Sequence, residues 1–233
     1  MDIERNTTIP FIGDVPKADN PNEIIQLNSR TNTAEAIRII RTNLEFLLKD
    51  VQDGLAKTIF VTSTFPKEGK TFVSVNLAST IALSDKKVLL VGLDIRNPKI
   101  DNYLQVPAVG LTNYLSSNKY NSIDELIVKI DNYSNFYVLP AGIIPPNPAE
   151  LLMDKKVEKL FEELRTKFDY IIVDTAPVSL VTDTLIISHL ADTFVYVTRA
   201  NYLDKRMLKL PQQLYNESKL PNMSILINDT DSQ

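Results

Sequence analysis

The most constraining feature of the sequence is a short apolar run that passes through a turn into a second regular segment, over residues 57–71. Residues 59–61 are consecutive large apolar residues, which is typical of a strand buried on both faces of a parallel sheet. Residues 72–83 are predicted to form a helix. The turn between them therefore joins the carboxyl end of a buried strand to the amino end of a helix.

Gly69, Lys70 and Thr71 stand at this junction and resemble the end of a phosphate-binding loop. The glycine lets backbone N–H groups approach phosphate oxygens, the lysine reaches terminal phosphates, and the hydroxyl can bind Mg²⁺. The helix amino terminus adds partial positive charge. The full pattern asks for glycine where this chain has Thr64. The residues expected to contact a nucleotide are Pro66, Lys67, Glu68, Gly69, Lys70, Thr71 and Phe72.

Composition excludes several other kinds of protein. The 233 residues include no cysteine, which rules out disulfides, thiolate metal sites and cysteine nucleophiles. The net charge of −4 does not indicate the strongly basic surface that is typical of nucleic-acid-binding proteins. No stretch approaches the ~20 apolar residues that span a bilayer, and we expect no signal peptide. We therefore expect a cytosolic type of polypeptide with no membrane span of its own and no nucleic-acid partner.

Predicted strands alternate with predicted helices along most of the chain. Strands are expected at residues 87–94, 136–139, 168–174, 193–198 and 223–228, and helices at 34–49, 148–153, 155–167, 182–190 and 203–218. Short helices are expected within residues 98–131, and Pro211 is expected to kink or split the last helix. This alternation predicts an α/β fold with a doubly wound, mostly parallel sheet. Residues 1–32 are expected to be an extended arm and linker, and residues 33–233 a single nucleotide-binding domain.

Two predicted strands end in carboxylates, Asp94 and Asp174. Because right-handed crossovers bring parallel strand ends to one edge of a sheet, both should face the phosphate-binding turn. Hard anionic oxygens suit the Mg²⁺ that accompanies a triphosphate. We therefore expect Lys70, Asp94 and Asp174 to carry catalysis, and Thr71, Asp94 and Asp174 to hold the metal.

Four segments together resemble one known family over nearly the whole chain. Residues 62–71 are similar to its Walker A segment, 89–96 to its Walker A′ motif, 171–177 to its Walker B motif and 35–41 to its Glu-x-x-Arg-x-x-Arg element. The family is the bacterial tyrosine kinases, or BY-kinases, whose cytoplasmic domains accompany export of capsular or other exopolysaccharide. The resemblance implies ATP and Mg²⁺ as cofactors. Lys70 would then hold the β- and γ-phosphates.

The resemblance also implies partners. Glu35, Arg38 and Arg41 would form an interface in a head-to-tail ring, in which a tyrosine-rich tail reaches the next subunit's active site. The partner at the membrane would be a polysaccharide co-polymerase adaptor, fused or separate. The chain would then work in the cytoplasm, at the inner face of the inner membrane.

This sequence departs from the family pattern in two places. The first of the two aspartates in the A′ motif falls on Gly92, and this carboxylate is the family's proposed base for the tyrosine hydroxyl. Removing a general base costs about 10²- to 10⁴-fold in rate. Phosphoryl transfer depends chiefly on positioning and charge neutralisation, so the cost can be smaller. The last tyrosine is Tyr215, so we expect the sequence to stop short of a tyrosine-rich tail.

Three functions are consistent with these observations. The first is an ATP-dependent protein-tyrosine kinase that acts in trans between subunits. The second is a catalytically weak ATP-binding module whose nucleotide state controls assembly with the membrane adaptor. The third is a partition-type or septum-positioning ATPase, which is disfavoured because its signature lysine would fall on Phe65.

Overall fold

The computed structural model describes residues 2–231 and contains the alternating strands and helices of an α/β protein. The strands are β1 (Phe11–Pro16), β2 (Lys57–Ser63), β3 (Val88–Gly92), β4 (Val128–Lys129), β5 (Phe136–Leu139), β6 (Tyr170–Asp174), β7 (Thr193–Arg199) and β8 (Ser224–Thr230). The α-helices are α1 (Asp2–Asn6), α2 (Asn32–Leu47), α3 (Lys70–Ala82), α4 (Leu111–Ser116), α5 (Pro148–Leu152), α6 (Lys155–Arg165), α7 (Asp183–Ile186) and α8 (Lys209–Asn216). Single 3₁₀ turns cover Ile100–Asn102, Ile123–Leu126, Ser188–Leu190 and Lys205–Leu208.

Within residues 2–231 the eight strands form one sheet in the order β1-β8-β7-β2-β6-β3-β5-β4. Neighbouring strands are parallel except for β4, which pairs antiparallel with β5. Since β2 is central and the chain winds outward from it in both directions, the predicted doubly wound, mostly parallel sheet is confirmed.

Apolar side chains cover both faces of this sheet, as the continuous apolar runs in β2, β3 and β6 require. One core packs α2 and α3 against the side of the sheet that carries Ile59 and Val61. The other core packs α4, α5, α6 and α8 against the side that carries Phe60. The helix α3 is buried along its whole length because it lies between the sheet and α2.

The amino-terminal segment differs from the expected arm. β1 is extended, but it pairs in parallel with β8 and forms an edge of the sheet. Its apolar residue Ile12 is buried in the α2 core, and the Asn43 side chain on α2 donates a 2.9 Å hydrogen bond to the Ile12 carbonyl. These long-range contacts, rather than local alternation of residues, hold β1 in the sheet. The short strand β4 was not predicted either.

The predicted helix over residues 203–218 was wrong in its first part. A 3₁₀ turn, Lys205–Leu208, precedes α8, and Pro211 is the third residue of that helix. Proline is tolerated in a first helical turn because its missing N–H has no intrahelical acceptor there. The expected split is therefore present, since the stretch divides into a 3₁₀ turn and α8 two residues ahead of Pro211. Residues 182–190 likewise divide into α7 and a 3₁₀ turn.

Candidate active site

The carboxyl ends of β2, β6 and β3 lie side by side and bring the predicted site residues together. Asp174, the last residue of β6, is in register with Val61 on β2 and with Gly92 on β3. The backbone N–H of Asp94 donates a 2.9 Å hydrogen bond to the Asp174 carbonyl. The two carboxylates are therefore held at one edge of the sheet, beside the turn that opens α3.

The phosphate-binding turn is shaped by Gly69, which has φ of 93° and precedes α3. A Cβ atom at this position would lie 2.0 Å from Nδ2 of Asn228, which donates a 3.0 Å hydrogen bond to the Glu68 carbonyl. Both the backbone angle and the contact therefore require glycine. Thr64, where the full pattern has glycine, is buried, and its hydroxyl shares a 2.9 Å hydrogen bond with the Tyr196 hydroxyl.

Five side chains form a buried polar cluster at the start of α3. Nζ of Lys70 lies 2.9 Å from Oδ2 of Asp94 and 3.7 Å from Oδ1 of Asp174. Oγ1 of Thr71 donates a 2.8 Å hydrogen bond to Oδ2 of Asp174. Oγ of Ser74, one helical turn further on, donates to Oδ1 of Asp174 over 3.3 Å. The structure therefore brings Lys70, Thr71, Asp94 and Asp174 into direct contact.

Burial sets the electrostatics of this cluster. It disfavours the charged ammonium of Lys70, but the Asp174 and Asp94 carboxylates outweigh it and raise the pKa of that lysine. Burial also raises the pKa of Asp174, although Lys70 and the Thr71 hydroxyl oppose the change. The cluster thus holds a firmly cationic lysine against carboxylates. When a nucleotide binds, its phosphate oxygens can replace the carboxylates as partners of the Lys70 ammonium.

A cleft of about 400 Å³ opens beside the cluster. Six of the seven residues expected to contact a nucleotide line it, together with Asp94. Its other lining residues are Arg96, Asn97, Lys99, Asn102, Tyr103, Ala176, Pro177, Leu180 and Val181. The exception is Glu68, whose fully buried carboxylate accepts a 2.7 Å hydrogen bond from the Phe65 N–H.

Glu68 is an unusual acid for such a loop. Its Oε1 has no hydrogen-bond partner among the described residues, and burial raises the pKa of its carboxyl group to about 7. The hydrogen bond from the backbone N–H of Phe65 lowers the pKa but does not offset burial. The loop therefore contains a carboxyl group, that of Glu68, which is partly protonated near pH 7.

Residues that the sequence analysis did not single out support the same turn. Nη1 of Arg199 donates a 3.2 Å hydrogen bond to the carbonyl of Lys67, and its guanidinium also pairs with Asp229. The Tyr202 hydroxyl donates a 3.2 Å hydrogen bond to the Pro66 carbonyl. Arg199 ends β7 and Tyr202 lies in the turn after it; both are far along the sequence, so no local pattern indicates them. Ser74, by contrast, lies three residues after Thr71 and therefore on the same helix face.

The backbone closes tightly around Gly92, where the family pattern has an aspartate. A Cβ atom there would lie 2.9 Å from the backbone nitrogen of Ala141 and 3.3 Å from Cδ1 of Ile100. Real side chains do not approach a backbone atom so closely, so the 140–142 segment would have to move.

The three residues expected at a subunit interface lie on α2, but their side chains differ in exposure. Nη1 of Arg38 pairs with Glu35 at 2.5 Å, and its Nη2 donates to the carbonyl of Ser29. Arg41 donates to the carbonyl of Thr80 at the end of α3. Glu35 remains exposed, as are Ile39 and Phe46 on this helix.

Every helix within residues 2–231 falls short of the length and apolar character that spanning a bilayer requires.

Comparison with known proteins places this site in a family. A family model described as an AAA domain matches residues 56–209. Tyrosine-protein kinase CpsD of Streptococcus agalactiae is 33% identical over 87% of this chain and 85% of its own length. Tyrosine-protein kinase YwqD of Bacillus subtilis is 34% identical over 89% of this chain and 85% of its own length.

Solved structures agree with these relatives. The kinase domain of the Escherichia coli tyrosine kinase ETK superposes with a TM-score of 0.87 at 27% identity, covering 100% of this chain and 94% of that one. A plasmid partition protein from Borrelia burgdorferi has a TM-score of 0.59 at 22% identity, covering 77% and 78%, and shows the fold alone. The chain belongs to the bacterial tyrosine-protein kinases, with a P-loop domain of the AAA type.

Proposed function

We propose that this tyrosine kinase binds ATP in the cleft beside α3 and transfers its γ-phosphoryl group to tyrosines of neighbouring subunits or partner proteins. The observation that carries the proposal is the buried cluster in which Lys70 contacts Asp94 at 2.9 Å and Thr71 contacts Asp174 at 2.8 Å. Positive charge, a hydroxyl and two carboxylates at the mouth of a glycine-shaped turn are the groups that phosphoryl transfer requires.

Lys70 would hold the terminal phosphates of the nucleotide. Its ammonium now faces two carboxylates, and phosphate oxygens would replace at least one of them when ATP enters. The backbone N–H groups that begin α3 point toward the same place and favour an anion. Pro66, Lys67 and Phe72 would line the remainder of the nucleotide site.

The donor set fits a hard divalent cation such as Mg²⁺. Thr71, Asp94 and Asp174 offer only oxygen atoms, which Mg²⁺ prefers, and the contact between Thr71 and Asp174 already aligns two of the three side chains. When bound, Mg²⁺ would neutralise charge that develops on the phosphates. The protein's own part is to hold these oxygens at the end of β6 and β3 and to keep Lys70 beside them.

In the transfer, a bond forms between the tyrosine oxygen and the γ-phosphorus while the bond from that phosphorus to the β–γ bridging oxygen breaks. The electron pair of the broken bond leaves with ADP, and the phenol proton is released to solvent. This reaction has a loose transition state that relies on positioning and on charge neutralisation. Lys70 supplies both, so transfer is expected even though Gly92 offers no carboxylate.

Similarity to the related kinases is the basis for a proposed role in the cell. The kinase would regulate synthesis and export of capsule or exopolysaccharide from the cytoplasmic face of the inner membrane, with a membrane-embedded co-polymerase as its partner. Head-to-tail association through the Glu35, Arg38 and Arg41 segment would bring acceptor tyrosines to the next subunit. The exposure of Glu35, Ile39 and Phe46 on one helix supports such an interface.

A catalytically weak binding module is the second candidate, because Gly92 replaces the expected base. Incubation with γ-labelled ATP and a tyrosine-rich acceptor separates the two functions. The kinase predicts label on tyrosine that is lost in Lys70→Met and kept in the matched control Lys49→Met, since Lys49 is exposed in the turn that follows α2. Nucleotide-dependent oligomers without label would instead support the module.

A further inference from the structure

An ion pair outside the buried cluster joins two loops that border the nucleotide cleft. Nε and Nη2 of Arg96 donate hydrogen bonds of 2.7 and 3.0 Å to Oδ2 and Oδ1 of Asp183. Arg96 lies in the loop that follows β3 and contains Asp94, whereas Asp183 begins α7, after the loop that follows β6. Both loops line the cleft, the first with Arg96 and the second with residues 176, 177, 180 and 181.

The two partners differ in burial. The side chain of Asp183 is 2% exposed and that of Arg96 is 40% exposed. Both hydrogen bonds that reach the Asp183 carboxylate from residues 2–231 come from Arg96. A buried carboxylate that loses its only cation is strongly disfavoured, and the paired hydrogen bonds fix the distance and the angle between the two groups. The pair is therefore a rigid connection between the loops.

At one end, this connection is anchored to the part of the fold that carries Asp174. The hydroxyl of Thr184, the residue after Asp183, donates a 2.6 Å hydrogen bond to the carbonyl of Ala176. The hydroxyl of Thr62 on β2 donates a 2.9 Å hydrogen bond to the same carbonyl. Ala176 lies two residues after Asp174. Asp183 is thus held at a fixed place relative to Asp174 and to the ends of β2 and β6.

At the other end, the connection holds the loop that orients the Asp94 carboxylate. Oδ1 of Asp94 accepts a 3.1 Å hydrogen bond from the N–H of Asn97, and its Oδ2 lies 2.9 Å from Nζ of Lys70. Phosphates that take over the Lys70 ammonium would leave the Asn97 contact to orient this side chain. Arg96 lies between Asp94 and Asn97, so its bond to Asp183 fixes the loop that supplies this contact.

We propose that Arg96 is a positioning residue which, through Asp183, keeps the Asp94 carboxylate oriented so that Asp94 and Asp174 hold Mg²⁺ together. This inference rests on the proposed function and adds the residue pair that sets the affinity for the metal. Groups that orient metal ligands in this way typically change metal affinity by about 10- to 100-fold when they are removed.

Titration calorimetry with ADP, in Mg²⁺ and in EDTA, tests the inference. In the wild type Mg²⁺ should tighten ADP binding, and the ratio of the two Kd values measures this effect. Arg96→Ala and Asp183→Asn should each lower the ratio about tenfold or more, and the double variant should lower it no further. Arg96→Lys should be intermediate, because an ammonium cannot reproduce the paired hydrogen bonds. The Kd for ADP in EDTA should stay unchanged in all four variants.

Arg165→Ala is the matched control. Nη2 of Arg165 pairs with Oδ1 of Asp192 over 3.1 Å, and both side chains are partly buried. Asp192 accepts a hydrogen bond from the N–H of Thr58 near the start of β2, so this pair lies at the other end of the sheet from the cleft. The control should therefore share any general loss of stability and keep the wild-type ratio.

The outcomes separate this inference from the proposed function. An unchanged ratio in Arg96→Ala would overturn the inference, as would a loss that Asp183→Asn does not share, because Arg96 would then act by contacting the nucleotide directly. Weaker ADP binding in EDTA for Arg96→Ala would contradict it, since the phosphate-binding turn would then depend on the pair. A wild type whose ADP affinity does not respond to Mg²⁺ would overturn the proposed metal site together with the inference. Failure of the wild type to label tyrosine would overturn only the kinase function.

Discussion

The buried acid Glu68 makes a quantitative prediction about stability. Its carboxylate is fully buried, one oxygen accepts the Phe65 N–H, and the other has no hydrogen-bond partner among the described residues. Burial raises its pKa from 4.5 to about 7. In Glu68→Gln the side chain keeps its shape and an acceptor for Phe65 but can no longer ionise.

The direction in which the free energy of unfolding changes with pH follows from proton binding. Between pH 4.5 and pH 7 the folded protein holds a proton on Glu68 that the unfolded chain has lost, so the free energy of unfolding falls as pH rises. The contribution is fully present below pH 4.5 and lost above about pH 7. At 1.36 kcal/mol per pH unit the whole interval corresponds to about 3 kcal/mol. Between pH 5.5 and pH 8.5 we expect about 2 kcal/mol of this decline.

Urea denaturation at several pH values from 5.5 to 8.5 measures the effect, a range that avoids the sequence pI of about 5.2. The unfolding free energy of Glu68→Gln, relative to wild type, should increase by about 2 kcal/mol across this range. Glu45→Gln is the control, because Glu45 is exposed on α2. Parallel pH profiles for Glu68→Gln and wild type would refute the argument that burial keeps this acid neutral.

Three further substitutions test the geometry of the site. Gly69→Ala forces a side chain onto φ of 93° and against the Asn228 amide, so it should destabilise by about 1–3 kcal/mol in thermal denaturation and abolish nucleotide binding in calorimetry. Gly92→Asp should lower thermal stability and not raise the rate of tyrosine labelling, because its Cβ meets a backbone nitrogen at 2.9 Å; faster labelling would contradict this. Arg96→Ala leaves the buried Asp183 without its two hydrogen bonds of 2.7 and 3.0 Å and should cost about 2 kcal/mol in urea denaturation, with Arg96→Lys intermediate.

The fold was largely predictable because its signals are local. Apolar runs of three or four residues identify β2, β3, β6 and β7, and the residue types at the β2–α3 turn indicate where the chain reverses. β1 was missed because its place in the sheet depends on β8, which lies more than two hundred residues away in sequence. The contribution of β7 to the phosphate-binding turn was missed for the same reason, since Arg199 and Tyr202 carry no motif.

The residues Glu35, Arg38 and Arg41 show how far spacing alone can predict a surface. Their spacing of three residues places them along one side of α2, as expected. Spacing does not determine which groups the charged ends of such long side chains contact. Arg38 turns back to Glu35 and to the carbonyl of Ser29, and Arg41 reaches across to the last turn of α3. If a second subunit binds here, it must either displace these internal hydrogen bonds or contact the side chains that remain exposed. Because displacing charge-assisted hydrogen bonds is costly, the exposed apolar residues of α2, Ile39 and Phe46, should contribute more to association than Arg41 does.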